Sequence, residues 1–144
     1  FLNNFIYQMF PGDPAIRVPV DCDKPYGVFL HRENLYITDY GNNRLVRYDV
    51  NSGAQSRLDT GAIAPIAVTV DGNGTVYFSE NRKLCMCRKQ ECFVETIVDK
   101  TVWSRYGLEK LCHIGAVASL SPGHLVFTDT IKNCVYELKF DKVR

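Results

Sequence analysis

Three stretches of this chain repeat one order of signals, and that repetition limits the fold more than any other feature. They are PYGVFLHRENLYITDYGNNRLVRYDVNSG from Pro25, PIAVTVDGNGTVYFSENRKLCMCRKQE from Pro65 and IGAVASLSPGHLVFTDTIKNCVYELKF from Ile114. Each opens on an apolar segment around Val28, Val68 or Val117, then passes a turn rich in Gly, Asn or Pro. A second segment ends Ile37-Thr38-Asp39, Phe78-Ser79-Glu80 or Phe127-Thr128-Asp129, and a polar gap and a third segment follow. Apolar segments of about five residues with frequent turn signals between them read as strands. Helical periodicity is nearly absent; the exception is TVWSRYGLEKLCHIG, where Trp103, Leu108 and Leu111 share one face of a short predicted helix.

The units start about 40 and then 49 residues apart, a period that belongs to propeller blades of four antiparallel strands. The expected fold is all-β, with residues 25–60 and 65–99 as blades, 114–144 as most of a blade and 100–113 as an inserted loop. Residues 1–20 complete the scheme as the end of a further blade. NNFIYQMF at Asn3 echoes NNRLVRYDV at Asn42, which makes Phe5–Gln8 a third strand and AIRVPV a fourth. The chain thus enters and leaves in mid-blade. Because four blades are the low end for a ring and open strand edges seed aggregation, the expectation is that a second copy, or another part of a longer cleaved or cropped chain, completes the propeller. The start at Phe1, in mid-blade and without Met, favours the longer chain.

The first unit resembles the NHL repeat in its order P-x-G-V, L-Y-I-T-D and G-N-N-R-L-V-R-Y-D. Tyr36-Ile37-Thr38-Asp39 also resembles the YWTD motif of six-bladed receptor propellers. The second and third units match more loosely, with Glu80 in place of Asp and Cys134 in place of Arg. These resemblances imply about half of a six-bladed ring, and they specify a fold more than a chemistry. The carboxylates of Asp39, Glu80 and Asp129 read as acceptors for backbone amides of the turn that follows each of them.

Lys and Arg number 17 against 16 Asp and Glu, so no charge surplus points to nucleic acid or anionic lipid. No apolar stretch approaches the roughly 20 residues that span a bilayer. Six cysteines in 144 residues point to an oxidising, extracellular setting. Cys85, Cys87 and Cys92 lack the paired C-x2-C knuckles of a zinc site. The polar RKQE between Cys87 and Cys92 reads as a hairpin loop that those two cysteines can close, the alternative being that they are buried as small apolar side chains. Asn73-Gly74-Thr75 is an N-x-T sequon in a hairpin turn, which makes Asn73 a glycan acceptor if the chain is secreted.

Propeller ligands usually meet the face built from the loops before each first strand and after each second strand. On that face Trp103, Tyr106, Tyr26 and Tyr40 offer an apolar platform, and His113 adds an imidazole. Asp21 and Asp23 are weak candidates for calcium, by resemblance to calcium-dependent propeller hydrolases, with Asn43 or Asn81 beside them; no cofactor is otherwise expected. His31 and His124 fall on the opposite face, with no partner visible in the sequence. No nucleophile elbow, zincin helix, P-loop or dinucleotide glycine pattern occurs.

The reading that follows is an extracellular, non-enzymatic binding propeller for a small apolar or aromatic, pigment-like ligand. PYGVF…NLYITDY and VYFSEN also resemble secreted insect propellers of the ommochrome-binding kind. A protein-interaction module of NHL or YWTD type is the first alternative, and a metal-dependent propeller hydrolase or lyase the second.

Overall fold

A computed structural model describes residues 4–88, 94–98 and 113–140. These residues form thirteen strands in four antiparallel sheets, each strand beside its neighbour in sequence. A two-stranded sheet of β1 (Ile6–Gln8) and β2 (Ile16–Val18) comes first. The first four-stranded sheet contains β3 (Pro25–His31), β4 (Asn34–Asp39), β5 (Arg44–Asp49) and β6 (Gln55–Leu58). The second contains β7 (Pro65–Val70), β8 (Val76–Glu80), β9 (Lys83–Cys87) and β10 (Val94–Val98). The third has β11 (Ile114–Ser121), β12 (His124–Asp129) and β13 (Cys134–Lys139). The architecture is a partial β-propeller.

Turn chemistry explains the hairpins. Pro122 and Gly123 close β11 onto β12, with Gly123 at φ 77° as a Pro-Gly turn requires. In the second sheet Asp71 Oδ1 accepts the amides of Asn73 and Thr75 at 2.9 and 3.0 Å, and Gly74 takes φ 83°. The first sheet turns at Arg32-Glu33, where Arg32 itself adopts φ 54°. Asn43, Asn81 and Asn133 hold left-handed φ values of 50°, 29° and 55° in the three gaps before the third strands. Asn tolerates that conformation better than other non-glycine residues, which accounts for the recurring Asn.

Three apolar clusters lie between successive sheets. Val18 and Val20 pack with Ile37, Val46 and Tyr48. Tyr36 and Leu45 pack with Val68, Val70, Val76 and Phe78. Tyr77, Leu84 and Met86 pack with Ile114, Leu125, Phe127 and Leu138. The core is therefore divided between blade junctions, because each sheet buries both faces only where a neighbour covers them.

A hydroxyl ties each of the two junctions that join the three larger sheets. The first strands β3, β7 and β11 all break register near their starts, between Pro25 and Val28, Pro65 and Val68, and Ile114 and Val117. In each break an amide loses its rung and donates instead to the hydroxyl of the second strand: Gly27 to Thr38 at 2.7 Å, Ala67 to Ser79 at 3.1 Å, Ala116 to Thr128 at 3.0 Å. Thr38 then donates to the Ile66 carbonyl of the next sheet at 2.8 Å, and Ser79 to that of Ile114 at 3.2 Å. Close approach depends on Gly27, where an added Cβ would stand 2.7 Å from the Ile66 carbonyl oxygen.

Candidate functional site

The connection Val20–Lys24 and the gap after β4 build the loop face of the first blade around Asp39, which is fully buried. Asp39 Oδ1 accepts the Asp23 amide at 2.7 Å, while Oδ2 accepts Asn42 Nδ2 at 3.0 Å and Arg44 Nε at 2.6 Å. The ion pair and hydrogen bond to Asp39 hold the Arg44 guanidinium above its ordinary pKa. Arg44 Nη2 also donates to the Asp21 carbonyl at 3.0 Å, and Gln55 brackets Asp21 with one bond in each direction. Asn4 completes the clamp, donating to Asp23 Oδ1 at 2.8 Å and accepting the Lys24 amide at 3.1 Å.

These bonds correct two expectations. Asp39 does not cap the amides of its own turn; it pins the linker that precedes its blade. Glu80 acts alike, accepting the Ile63 amide at 3.0 Å and pairing with Lys83 at 3.2 Å. Only Asp129 accepts following amides, those of Ile131 and Lys132, at 3.1 Å each. Asp21 and Asp23 are engaged by Arg44 and Asn4. Among the described residues no group of three or more His, Cys, Asp or Glu gathers as metal ligands.

Tyr26 and Tyr40 do come together, with ring centroids 5.0 Å apart and planes inclined at 47°. Tyr26 is the second residue of β3 and is 67% exposed, so one aromatic face meets solvent at the rim of the first blade. His113 lies on the third blade, where Nδ1 sits 2.8 Å from Thr130 Oγ1. Trp103, Tyr106 and Cys92, with the short helix and the Cys87–Cys92 pairing expected around them, lie outside the described residues. Cys22 and Cys134 carry free thiols. Burial, followed by the charges of Asp39 and Asp21, pushes the Cys22 thiol up, which keeps it protonated and poorly nucleophilic at neutral pH.

On the opposite face His124 is not alone: Nε2 lies 2.6 Å from Glu137 Oε1, which also meets Lys139 at 3.2 Å. Glu137 lies diagonally across from His124, whose register partner is Lys139, a proximity hidden until the register of β12 on β13 is known. His124 and then Lys139 hold the Glu137 carboxyl below the usual carboxylate range. The sequence also concealed two cavities. One, of about 580 Å³, opens beside Asn4, Val20, Asp21 and Cys22, where the Arg17 guanidinium stacks 3.4 Å over the Phe5 ring. The other, of about 310 Å³, lies between the first two blades on the far face and is lined by His31, Arg32, Glu33, Asn34, Tyr36 and Arg47, with Gly74 from the second blade.

Similar folds occur among solved structures. Streptogramin B lyase matches at 18% identity with a TM-score of 0.64, over 97% of this chain and 49% of its own. The extracellular domain of a one-component system from B. thetaiotaomicron matches at 12% identity and a TM-score of 0.64, over 96% of this chain and 19% of its own. A chain of the nidogen/laminin complex matches at 17% identity and a TM-score of 0.59, over 89% of this chain and 64% of its own. The chain thus spans about half the length of the first of these and less than two thirds of the others. The likeness shows a β-propeller fold. Neither family models nor curated proteins give a match to the sequence.

Proposed function

We propose that this chain is a binding segment of a six-bladed, NHL-type propeller and that its loop face holds a small apolar or aromatic molecule. One observation carries the reading: the tilted Tyr26–Tyr40 pair at the rim of the first blade, one of its rings largely open to solvent. Around it the polar groups are already committed to the linker clamp, so apolar contact is what the rim has to offer. An extracellular setting is favoured by the six cysteines and by the exposure of Asn73 within its sequon, which we propose as a glycan acceptor.

The partner we propose is a further blade of the same repeat type. Val28 and Leu30 are 53 and 59% exposed along β3, and Thr128 repeats the position of Thr38 and Ser79 with its amide acceptor role intact. A neighbouring first-strand carbonyl would complete it. The partner is then a second copy or another part of a longer chain.

Titration of the chain with a neutral aromatic dye such as Nile red, followed by dye fluorescence, tests the ligand reading. Tyr26→Ala and Tyr40→Ala should each weaken binding at least several-fold. Equal affinity in the parent and both variants would remove the aromatic rim as the site. A protein-interaction role would then stand as the better account, supported by the exposed apolar row on β3.

A further inference from the structure

The junction between the first and second four-stranded blades and the one that follows it share a plan but differ at two of three matched positions on the far face. Tyr36 and Tyr77 occupy the same place in their units, two residues before Thr38 and Ser79. Tyr77 donates to Asp71 Oδ2 at 2.9 Å. Six residues after the opening proline, where the second blade has Asp71, the first has His31. Across the sheet, Tyr77 pairs in register with Met86, whereas Tyr36 pairs with Arg47. Met86 is 3% exposed and belongs to the apolar cluster of its junction; Arg47 is exposed and lines a cavity of about 310 Å³.

Tyr36 is only 7% exposed, yet its hydroxyl has no hydrogen-bond partner among the described residues, and it too lines that cavity. A buried hydroxyl without a partner is uncommon and calls for an explanation. Arg32 and Arg47 also lack an ion pair or hydrogen bond among the described residues, and His31 stands beside them. Glu33 shares the rim, and the Asp49 carboxylate interacts through space with Arg47, leaving Arg32 and Arg47 without a direct ion pair among the described residues.

We propose that the cavity between the first two blades binds a small molecule bearing an oxyanion, a carboxylate or a phosphate ester. Arg32 and Arg47 provide charge and forked donors suited to such groups, and the Tyr36 hydroxyl provides the inner, orienting donor. The volume is at the small end of ligand cavities, which limits the guest to a compact molecule. The site lies on the face opposite the Tyr26–Tyr40 rim and does not depend on the ligand proposed there.

Calorimetric titration of the whole chain at low ionic strength, with inorganic phosphate in one arm and succinate in the other, tests the proposal. Saturable one-site binding is expected for at least one anion, and the arm that binds identifies the class. Arg47→Met, which installs the residue of the next junction, should weaken it at least tenfold. Tyr36→Phe should weaken binding several-fold while leaving the melting temperature unchanged or raised, since the hydroxyl has nothing to lose inside the fold. No saturable binding in either arm, or binding that both variants retain at parental affinity, would overturn the proposal. A fall in melting temperature for Tyr36→Phe would overturn the orienting role of that hydroxyl.

Discussion

Thr38 Oγ1 lies 2.8 Å from the carbonyl oxygen of Ile66, and this bond is where the first blade is fastened to the second. The same hydroxyl accepts the Gly27 amide at 2.7 Å. Replacing Thr38 by Val keeps the shape and strands both partners in a partly buried place, at a cost of about 1–3 kcal/mol. Thr128→Val should cost less than about 1 kcal/mol, because Thr128 is half-buried and only the Ala116 amide depends on it. Urea denaturation of the two variants measures the difference, and equal losses would contradict a fastening role for Thr38.

Gly27 is the steric counterpart of that bond. A Cβ there meets Ile66 O at 2.7 Å and Ala67 Cα at 3.2 Å, both backbone atoms that cannot swing aside. Gly27→Val should destabilise the chain by about 1–3 kcal/mol through overpacking. The reverse change at the matched position, Ala67→Gly, should cost only about 1 kcal/mol through backbone entropy. Thermal melts of both variants rank the two effects.

Tyr77 gives a pH dependence of definite sign. Burial, and then the Asp71 carboxylate that its hydroxyl contacts, push its pKa up to about 12. The unfolded chain loses this proton near pH 10 while the folded chain keeps it. The contribution is therefore complete below about pH 10 and falls away as the pH rises through 12, by at most about 2–3 kcal/mol. Denaturation midpoints of the parent and Tyr77→Phe, compared at pH 9 and pH 11, should converge at the higher value.

Arg32 turns the first hairpin at φ 54°, a conformation that costs a non-glycine residue about 1 kcal/mol or more. Arg32→Gly should raise stability by about 1 kcal/mol. If the groove binds oxyanions, the same substitution should weaken phosphate or succinate. Opposite signs from one substitution, read by melting and by titration, separate a stability role for this residue from a binding role.

Much of the fold was readable because it rests on local chemistry. Strand ends at Asp39, Glu80 and Asp129, the Pro-Gly and Asn-Gly turns and the Asn residues in the gaps all state backbone conformations directly. The site was less readable because it depends on register and on contacts between units. Tyr26 and Tyr40 are 14 residues apart, and shared loop placement brought them under suspicion together. Asn4, Arg44 and Gln55 meet across the linker in a way that no spacing announces. The Tyr36–Arg47 pairing appears only once β4 and β5 are aligned, and the silent phenol only once Tyr77 is available for comparison.

The hydroxyl ties also give the array a polarity. Both tied junctions join a donor side to a carbonyl side, so the two faces of a blade in this pattern are unlike, as the ends of a filament are. Two donor faces pressed together would leave both hydroxyls without acceptors. Only head-to-tail addition can extend the pattern, and addition of that kind closes into a ring or runs on as an open helix according to the rotation per step. Among the described residues Thr128 repeats the donor position of Thr38 and Ser79, and a blade added there would have to present a first-strand carbonyl to it.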